Sequence, residues 1–484
     1  MDLDPLLLSR IQFAFVVSFH AIFPVFTIGL AAYIALLEAI AFKTGSKVWA
    51  RLSQFWIKIF AVVFGMGVVS GLVMAFQFGT NWSEFSYRTS NFLGPVLSYE
   101  VVTAFFLEAA FLGVLLFGRN KVPPGLHLFS AVMVAVGTFI SSFWILSANS
   151  WMHTPAGFEM REGMVHVTSW WQAIFNPSFP YRFAHMALAS FLTGGFVVAG
   201  VSAYYILRRH AVEPSRKALK MCLVMLFFIA PLQAFMGDLH GLNTLEHQPV
   251  KVAAMEGAWE TQRGLPLLLF AIPDSANETN RFEIGIPKLA SLILTHEWDG
   301  EVQGLKAFPA EERPPVGIVF WSFRVMVGIG LLMILVATVG VVQMLRGKLL
   351  ESPRYLQLLR LMVPLPFVAV LAGWIVTEVG RQPWMLWGEI SVADGLTPSL
   401  TGGMALFSLV GYIAVYAVVF TAGVYYLTRV VRKGMVEEVA HEEEDHARPK
   451  RPLSATDVEL DVGDEPQPDP GEPDYTVEKQ GGTS

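Results

Sequence analysis

Nine stretches of this 484-residue chain stay apolar for longer than the roughly 20 residues a helix needs to cross a hydrocarbon layer. Nothing else in the sequence constrains the fold so strongly, because a segment in lipid must satisfy every backbone polar group internally. The reading is an all-α polytopic membrane protein with transmembrane helices near 11–41, 53–78, 93–117, 126–147, 183–207, 218–237, 316–345, 358–379 and 404–428. Only 15% of the residues are charged, and 37 Phe and 13 Trp agree with the same class. Basic residues crowd alternate connections: Lys43, Lys47 and Arg51; Arg119 and Lys121; Arg208, Arg209, Arg216, Lys217 and Lys220; Arg346, Lys348, Arg354 and Arg360; Arg429, Arg432 and Lys433. By the positive-inside rule that side is cytoplasmic, so the N-terminus is expected outside and the C-terminus inside.

The first run lacks a basic n-region and is too long for a leader, so no cleaved signal peptide is expected. Residues 1–433 are read as the transmembrane domain, including an external loop at 238–315 too polar to span. Residues 434–484, with Glu442-Glu443-Glu444-Asp445, are read as an acidic disordered cytoplasmic tail that supplies most of the net charge of -6. The single cysteine, Cys222, excludes an intrachain disulfide, a CxxC zinc site, CxxCH haem attachment and a Cys-ligated iron–sulfur cluster within the chain. No P-loop or GxGxxG cradle is found, and the expected surroundings are the lipid bilayer, with no nucleic-acid partner.

Chemistry concentrates in a few polar positions within the apolar runs, where an ionisable group is costly unless paired, hydrated or bound to a cofactor. Glu378 ends the eighth span, Arg381 follows three residues later, and Pro383 stops the helix. Such a pair can simply face interfacial water. His20 lies well inside the first span, where it is either a packing histidine or a ligand. Glu100 and Glu108 share the third span, about 12 Å apart along the axis and about 80° around it. Two carboxylates there suit proton relay or metal contact better than packing. His185 in the fifth span and Met326 in the seventh, beside Arg324, can together supply both axial ligands of a six-coordinate haem. Met326 taken alone is ordinary core filler. Glu38 and His127 are read as interfacial at the inner side. With the topology above, His20, Glu100, His185, Met326 and Glu378 all fall in the outer half of the membrane. Packing residues have no reason to gather at one depth, whereas ligands along one electron path do. In the external loop, Lys251 to Glu260 by itself reads as a solvated amphipathic helix.

Taken together, these residues resemble subunit I of the cytochrome bd-type quinol oxidases over nearly all of residues 1–430. The carrying stretches are Leu8-Ser9-Arg10-Ile11-Gln12-Phe13-Ala14, Phe76-Gln77-Phe78-Gly79-Thr80-Asn81-Trp82, Ala104-Phe105-Phe106-Leu107-Glu108, Trp144-Ile145-Leu146 with Asn149, and Lys251 to Glu256. Gly380-Arg381-Gln382-Pro383-Trp384 is the most specific. The resemblance implies a terminal oxidase that oxidises quinol at the outer face, reduces dioxygen to water and builds membrane potential. It implies a low-spin haem b on His185 and Met326, a high-spin haem b on Glu378, and an oxygen-reducing haem on His20. Glu100 would lie against that last haem, Glu108 on its proton path, and Trp374 between haems. Arg381 and Arg324 would stand near haem charges, and Lys251 and Glu256 would serve quinol. The short loop after the sixth span resembles the branch that includes the cyanide-insensitive oxidases, so the third haem is haem d or a third haem b. A second large membrane subunit (subunit II), a small single-span subunit and a bacterial cytoplasmic (inner) membrane complete the expectation.

Two rival classes fit part of the pattern. A quinone-linked dihaem anchor without oxygen chemistry would use His185 and Met326 but leave His20, Glu378 and the carboxylate pair unexplained. A proton-coupled transporter would use the carboxylates and need no haem.

Overall fold

The protein is described here by a computed structural model covering residues 3–435. The acidic tail expected at 434–484 lies, beyond its first two residues, outside the described residues. Among the described residues nine helical stretches are long and apolar enough to cross a membrane, as the hydropathy predicts. In chain order the helices are α1 (Pro5–Thr44), α2 (Lys47–Thr80), α3 (Ser83–Glu100), α4 (Phe106–Phe117), α5 (Pro124–His153), α6 (Trp170–Ile174), α7 (Phe179–Leu207), α8 (Val212–His247), α9 (Pro249–Glu256), α10 (Leu289–Thr295), α11 (Val316–Leu345), α12 (Pro353–Met362), α13 (Leu365–Val379) and α14 (Gly402–Lys433). α3 and α4 form one span joined by a π-helical turn, Val101–Phe105. α12 and α13 form another, bent at Val363-Pro364, where proline removes a backbone donor.

Four short antiparallel strand pairs occupy the connections at the end where α1 begins: β1 (Phe158–Arg161) with β2 (Met164–Val167), β3 (Gln262–Arg263) with β6 (Glu301–Val302), β4 (Leu267–Asp274) with β5 (Thr279–Ile286), and β7 (Trp384–Leu386) with β8 (Ile390–Ser391). This end is called the loop face below. The external loop expected from residue 238 begins at 248 instead, because α8 continues in polar sequence through His240 to His247. Hydropathy marks where lipid stops, and a helix can run on past that point.

The two largest side-chain clusters divide the bundle by depth. Leu30, Ile34, Leu37, Trp56, Phe60, Phe196, Leu223 and Leu359 fill the half away from the loop face, and a smaller cluster around Trp82, Phe92 and Trp151 closes the loop face. α1 and α7 touch backbone to backbone at Gly29 and Gly194. A Cβ on Gly29 would collide with the Ser190 carbonyl, and one on Gly194 would lie 3.1 Å from Gly29 C. Small residues permit such close approach between helices in lipid. At the far face Glu38, near the end of α1, and His127, near the start of α5, are buried together. Glu38 accepts hydrogen bonds from Ser53, from Arg119 and, at 3.1 Å, from His127 Nδ1, whose Nε2 lies 3.1 Å from the Leu115 carbonyl. Burial of a carboxylate is tolerated because three donors meet its two oxygens. The network fastens α1, α2, α5 and the α4–α5 turn.

Candidate functional site

A cavity of about 400 Å³ opens between α7, α8, α11 and α13 on the loop-face side. His185 and Met326 both line it. Glycines keep their tips free: a Cβ on Gly237 would lie 3.3 Å from His185 Cε1, and one on Gly373 would lie 2.9 Å from Met326 Sδ. His185 Nδ1 is buried without a hydrogen-bond partner, and so is Trp374 Nε1 on the same wall. An imidazole nitrogen without a partner and a thioether sulfur facing one apolar space are the donor set of a six-coordinate haem. The residues present therefore fit that group. His240, read from sequence as the start of the loop, instead comes from α8 and packs its ring 5.4 Å from that of His185.

Glu378, at the end of α13, is held on both oxygens. Its Oε1 accepts from Asn149 Nδ2 at 2.8 Å and its Oε2 from Arg381 at 2.5 Å. Arg381 in turn donates to the Met385 carbonyl, so the chain after α13 fixes the guanidinium that fixes the carboxylate. His153 Nε2 lies 3.5 Å from Glu378 Oε1, too far for a good hydrogen bond, and is left without a partner. His153 sits one turn beyond Asn149 on the same face of α5. Sequence reading ended this span at 147, so His153 was missed; its i, i+4 spacing from Asn149 was the available signal.

α9 is a short helix pressed between the spans, not a solvated one: Lys251 is 2% and Glu256 5% exposed. Five residues of helix turn these two side chains far apart. Lys251 points toward the Glu378 side, donating to Gln248 Oε1 at 2.6 Å and to His153 Nδ1 at 3.2 Å. Burial holds its ammonium well below the usual lysine range, and the charges of Arg182 and Arg381 push the same way. Glu256 points toward α11 and accepts from Arg324 at 3.0 Å. Burial raises its carboxyl above the ordinary carboxylate range, with Arg324 opposing. Arg324 also donates to the carbonyls of Leu268 and Met255, so its hydrogen-bond partners all lie in the segment between α8 and α11.

His20, Glu100 and Glu108 stand apart from the cavity. His20 Nδ1 is 2.9 Å from Ser70 Oγ, and Gly71 leaves room beside Cε1. A partner on one ring nitrogen orients the other toward a metal, as in ligating histidines generally. Glu100 accepts from Ser141 at 2.7 Å, and a Cβ on Gly137 would lie 2.5 Å from Glu108 Cγ. Both carboxylates thus run along one stripe of α5. The 80° divergence expected of a regular helix is removed by the π-helical turn, whose extra residue brings them within about 20°. Trp144 braces that turn, donating to Thr103 Oγ1 at 2.9 Å and stacking on Tyr99.

The sequence profile of the cytochrome bd terminal oxidase subunit I family matches residues 8–435. The chain belongs to that family. It is 35% identical over 451 residues to cytochrome bd ubiquinol oxidase subunit 1 of Bacillus subtilis (strain 168), covering 91% of this chain and 96% of that one. It is 33% identical over 501 residues to cytochrome bd-II ubiquinol oxidase subunit 1 of Escherichia coli (strain K12), covering 89% and 97%. Its fold is similar to a chain of the bd oxidase from Geobacillus thermodenitrificans, with a TM-score of 0.84, 31% identity, and 90% and 100% coverage. As a member of the bd oxidase family the chain is a subunit of a haem-containing terminal quinol oxidase, a quinol:oxygen oxidoreductase.

Proposed function

We infer that quinol is oxidised at α9 and dioxygen reduced deeper in this same chain. A low-spin haem b would be held by His185 and Met326, a high-spin haem b by Glu378, and the oxygen-reducing haem, haem d or a third haem b, by His20. Bound there, haem supplies one-electron carriers and an iron with an open position for dioxygen. The observation that carries this reading is the cavity on which His185 and Met326 converge and which reaches Lys251 and Glu256 along one continuous wall.

The chain's own residues account for binding and protons. Lys251 and Glu256 hold quinol from two sides of α9, and Glu256 takes a proton from it. Trp374, on α13, lines the cavity and would stand between the haems if they are held as proposed. Arg381 and Asn149 orient Glu378. Glu108, aligned with Glu100 by the π-helical turn, passes protons toward the His20 region, and Glu100 would lie against the haem held there. The overall reaction is two quinols and one dioxygen to two quinones and two waters. With the basic connections cytoplasmic, quinol protons are released outside and water protons are taken from inside. Each charge so moved works against about 2.3 kcal/mol per 100 mV. The setting is a bacterial cytoplasmic membrane, the partners are subunit II and a small single-span subunit, and residues 1–433 form the haem-binding oxidase domain.

An absorption spectrum of the purified complex, with pyridine haemochrome analysis and carbon monoxide addition, tests the reading. The expected result is one low-spin and two high-spin haems, with carbon monoxide bound to a high-spin haem. Low-spin bands alone, unreactive to carbon monoxide, would overturn it in favour of a dihaem anchor.

A further inference from the structure

The external segment carries an apolar surface that the site does not use. On the β4–β5 hairpin, Phe282 is 76%, Ile284 62%, Leu269 53% and Ile286 43% exposed. Exposed apolar clusters of this kind mark a contact. Phe282 stands at a bulge with φ +55°, a left-handed conformation that an aromatic residue seldom adopts. Such strain persists where something compensates for it.

The hairpin's depth identifies the contact. Arg324 and Arg346 are 22 residues apart on α11 and its cap, about 33 Å of helix, against a hydrocarbon layer of about 30 Å. Counting about 30 Å of helix back from Arg346 therefore places the outer edge of the hydrocarbon near the level of Arg324. The base of the hairpin is level with it, since Arg324 Nε donates to the Leu268 carbonyl at 2.9 Å. The strands then climb slowly. Asn280, near the other end, donates to the Gly257 carbonyl at 2.9 Å, and Gly257 lies against Phe320, only one turn above Arg324. The stretch from Phe282 to Ile286 thus stays within about one turn, roughly 6 Å, of the hydrocarbon boundary. Its exposed face is continuous with the bundle's outer surface: Ile284 pairs across the strands with Phe270, and Phe270 packs edge-on against Trp321, near exposed Ile318 and Val325 on α11. Polarity grades along the hairpin, with Asp274, Asn277 and Arg281 bonded together at the tip and apolar residues at the base.

We propose that the β4–β5 hairpin seats Leu269, Phe282, Ile284 and Ile286 in the headgroup–acyl boundary of the bilayer. The partner is the lipid surface itself, met by an apolar face at the depth where amphipathic elements lie in a membrane. The wall of the quinol-binding segment is then in direct contact with the phase in which a lipophilic quinol is dissolved.

Spin labels test this on the intact complex in phosphatidylethanolamine–phosphatidylglycerol nanodiscs. Phe282→Cys and Ile284→Cys carry the label, and Ala276→Cys at the exposed tip is the aqueous control. The native thiol, Cys222, is buried and does not compete. Power saturation compares collisions with dissolved oxygen and with a water-soluble nickel chelate, on preparations whose haem spectrum matches the unlabelled complex. Oxygen should dominate at 282 and 284, and the nickel chelate at 276. Nickel dominance at all three positions would overturn the proposal and leave the hairpin in water. Low collision with both reagents at 282 and 284 would also overturn it, showing a protein partner on that face.

Discussion

Lys251 Nζ lies 3.2 Å from His153 Nδ1, and the other nitrogen of that ring lies 3.5 Å from Glu378. One imidazole thus stands between α9, which it meets on one nitrogen, and the carboxylate at the end of α13, which its unpartnered nitrogen faces. Glu256, only five residues from Lys251, faces a different neighbour, Arg324. The two residues expected to share a substrate role therefore report to two different parts of the bundle.

Lys251→Met keeps the stem of the side chain and removes its charge. A hydrogen bond to a charged group is worth about 1.5–3 kcal/mol, so kcat/KM for quinol should fall about 10- to 100-fold with haem content unchanged. Steady-state kinetics beside a haem spectrum makes the comparison. Native kinetics would detach Lys251 from the substrate.

Met326→Leu conserves volume and deletes the sulfur. The low-spin band should be lost or become high-spin while the other haem bands remain. Gly373→Ala is the subtler variant, since its new methyl would lie 2.9 Å from Met326 Sδ. It should weaken the same band to a smaller degree. An unaltered low-spin spectrum in both variants would remove Met326 as a ligand.

Glu108→Gln keeps the shape of the side chain but cannot carry a proton. Turnover should drop by about 10²-fold or more, with all haems in place. Glu100→Ala, by contrast, should distort or empty the third haem site, and Ser141→Ala should mimic it weakly by removing the 2.7 Å hydrogen bond. Native oxygen consumption and membrane potential in Glu108→Gln would return Glu108 to a structural role.

These carboxylates show what the sequence could and could not disclose. The nine spans were legible because lipid admits only long apolar helices. The presence of Glu100 and Glu108 in one span was legible for the same reason. Their alignment was not, because a π-helical turn over Val101–Phe105 leaves no mark in hydropathy. Glu38 and His127 were legible only as residues near span ends; their union depends on a contact between residues 89 apart. His153 and the helical course of His240 were hidden by helices that outrun their apolar cores.

The pH profile of quinol oxidation should answer to Arg324. Burial raises the Glu256 carboxyl and Arg324 pulls it back down. In the proposed role the ionised form accepts the quinol proton, so activity should fall as pH drops through the Glu256 value. Arg324→Gln removes the downward pull, and the acid limb should move to higher pH. An acid limb that stays in place, or moves lower, would show that another group sets it.

The contact of Gly29 with Gly194 bears on the rate of electron flow. These glycines join the helix of His20 to the helix of His185 with no side chain between them. The spacing of those two helices is therefore set by main-chain atoms, and under the proposed ligation so is much of the gap an electron would tunnel across between haems held by His20 and His185. If haems are held as proposed, mutation elsewhere would retune either one chemically while the distance, on which tunnelling depends most steeply, stays where the backbone put it.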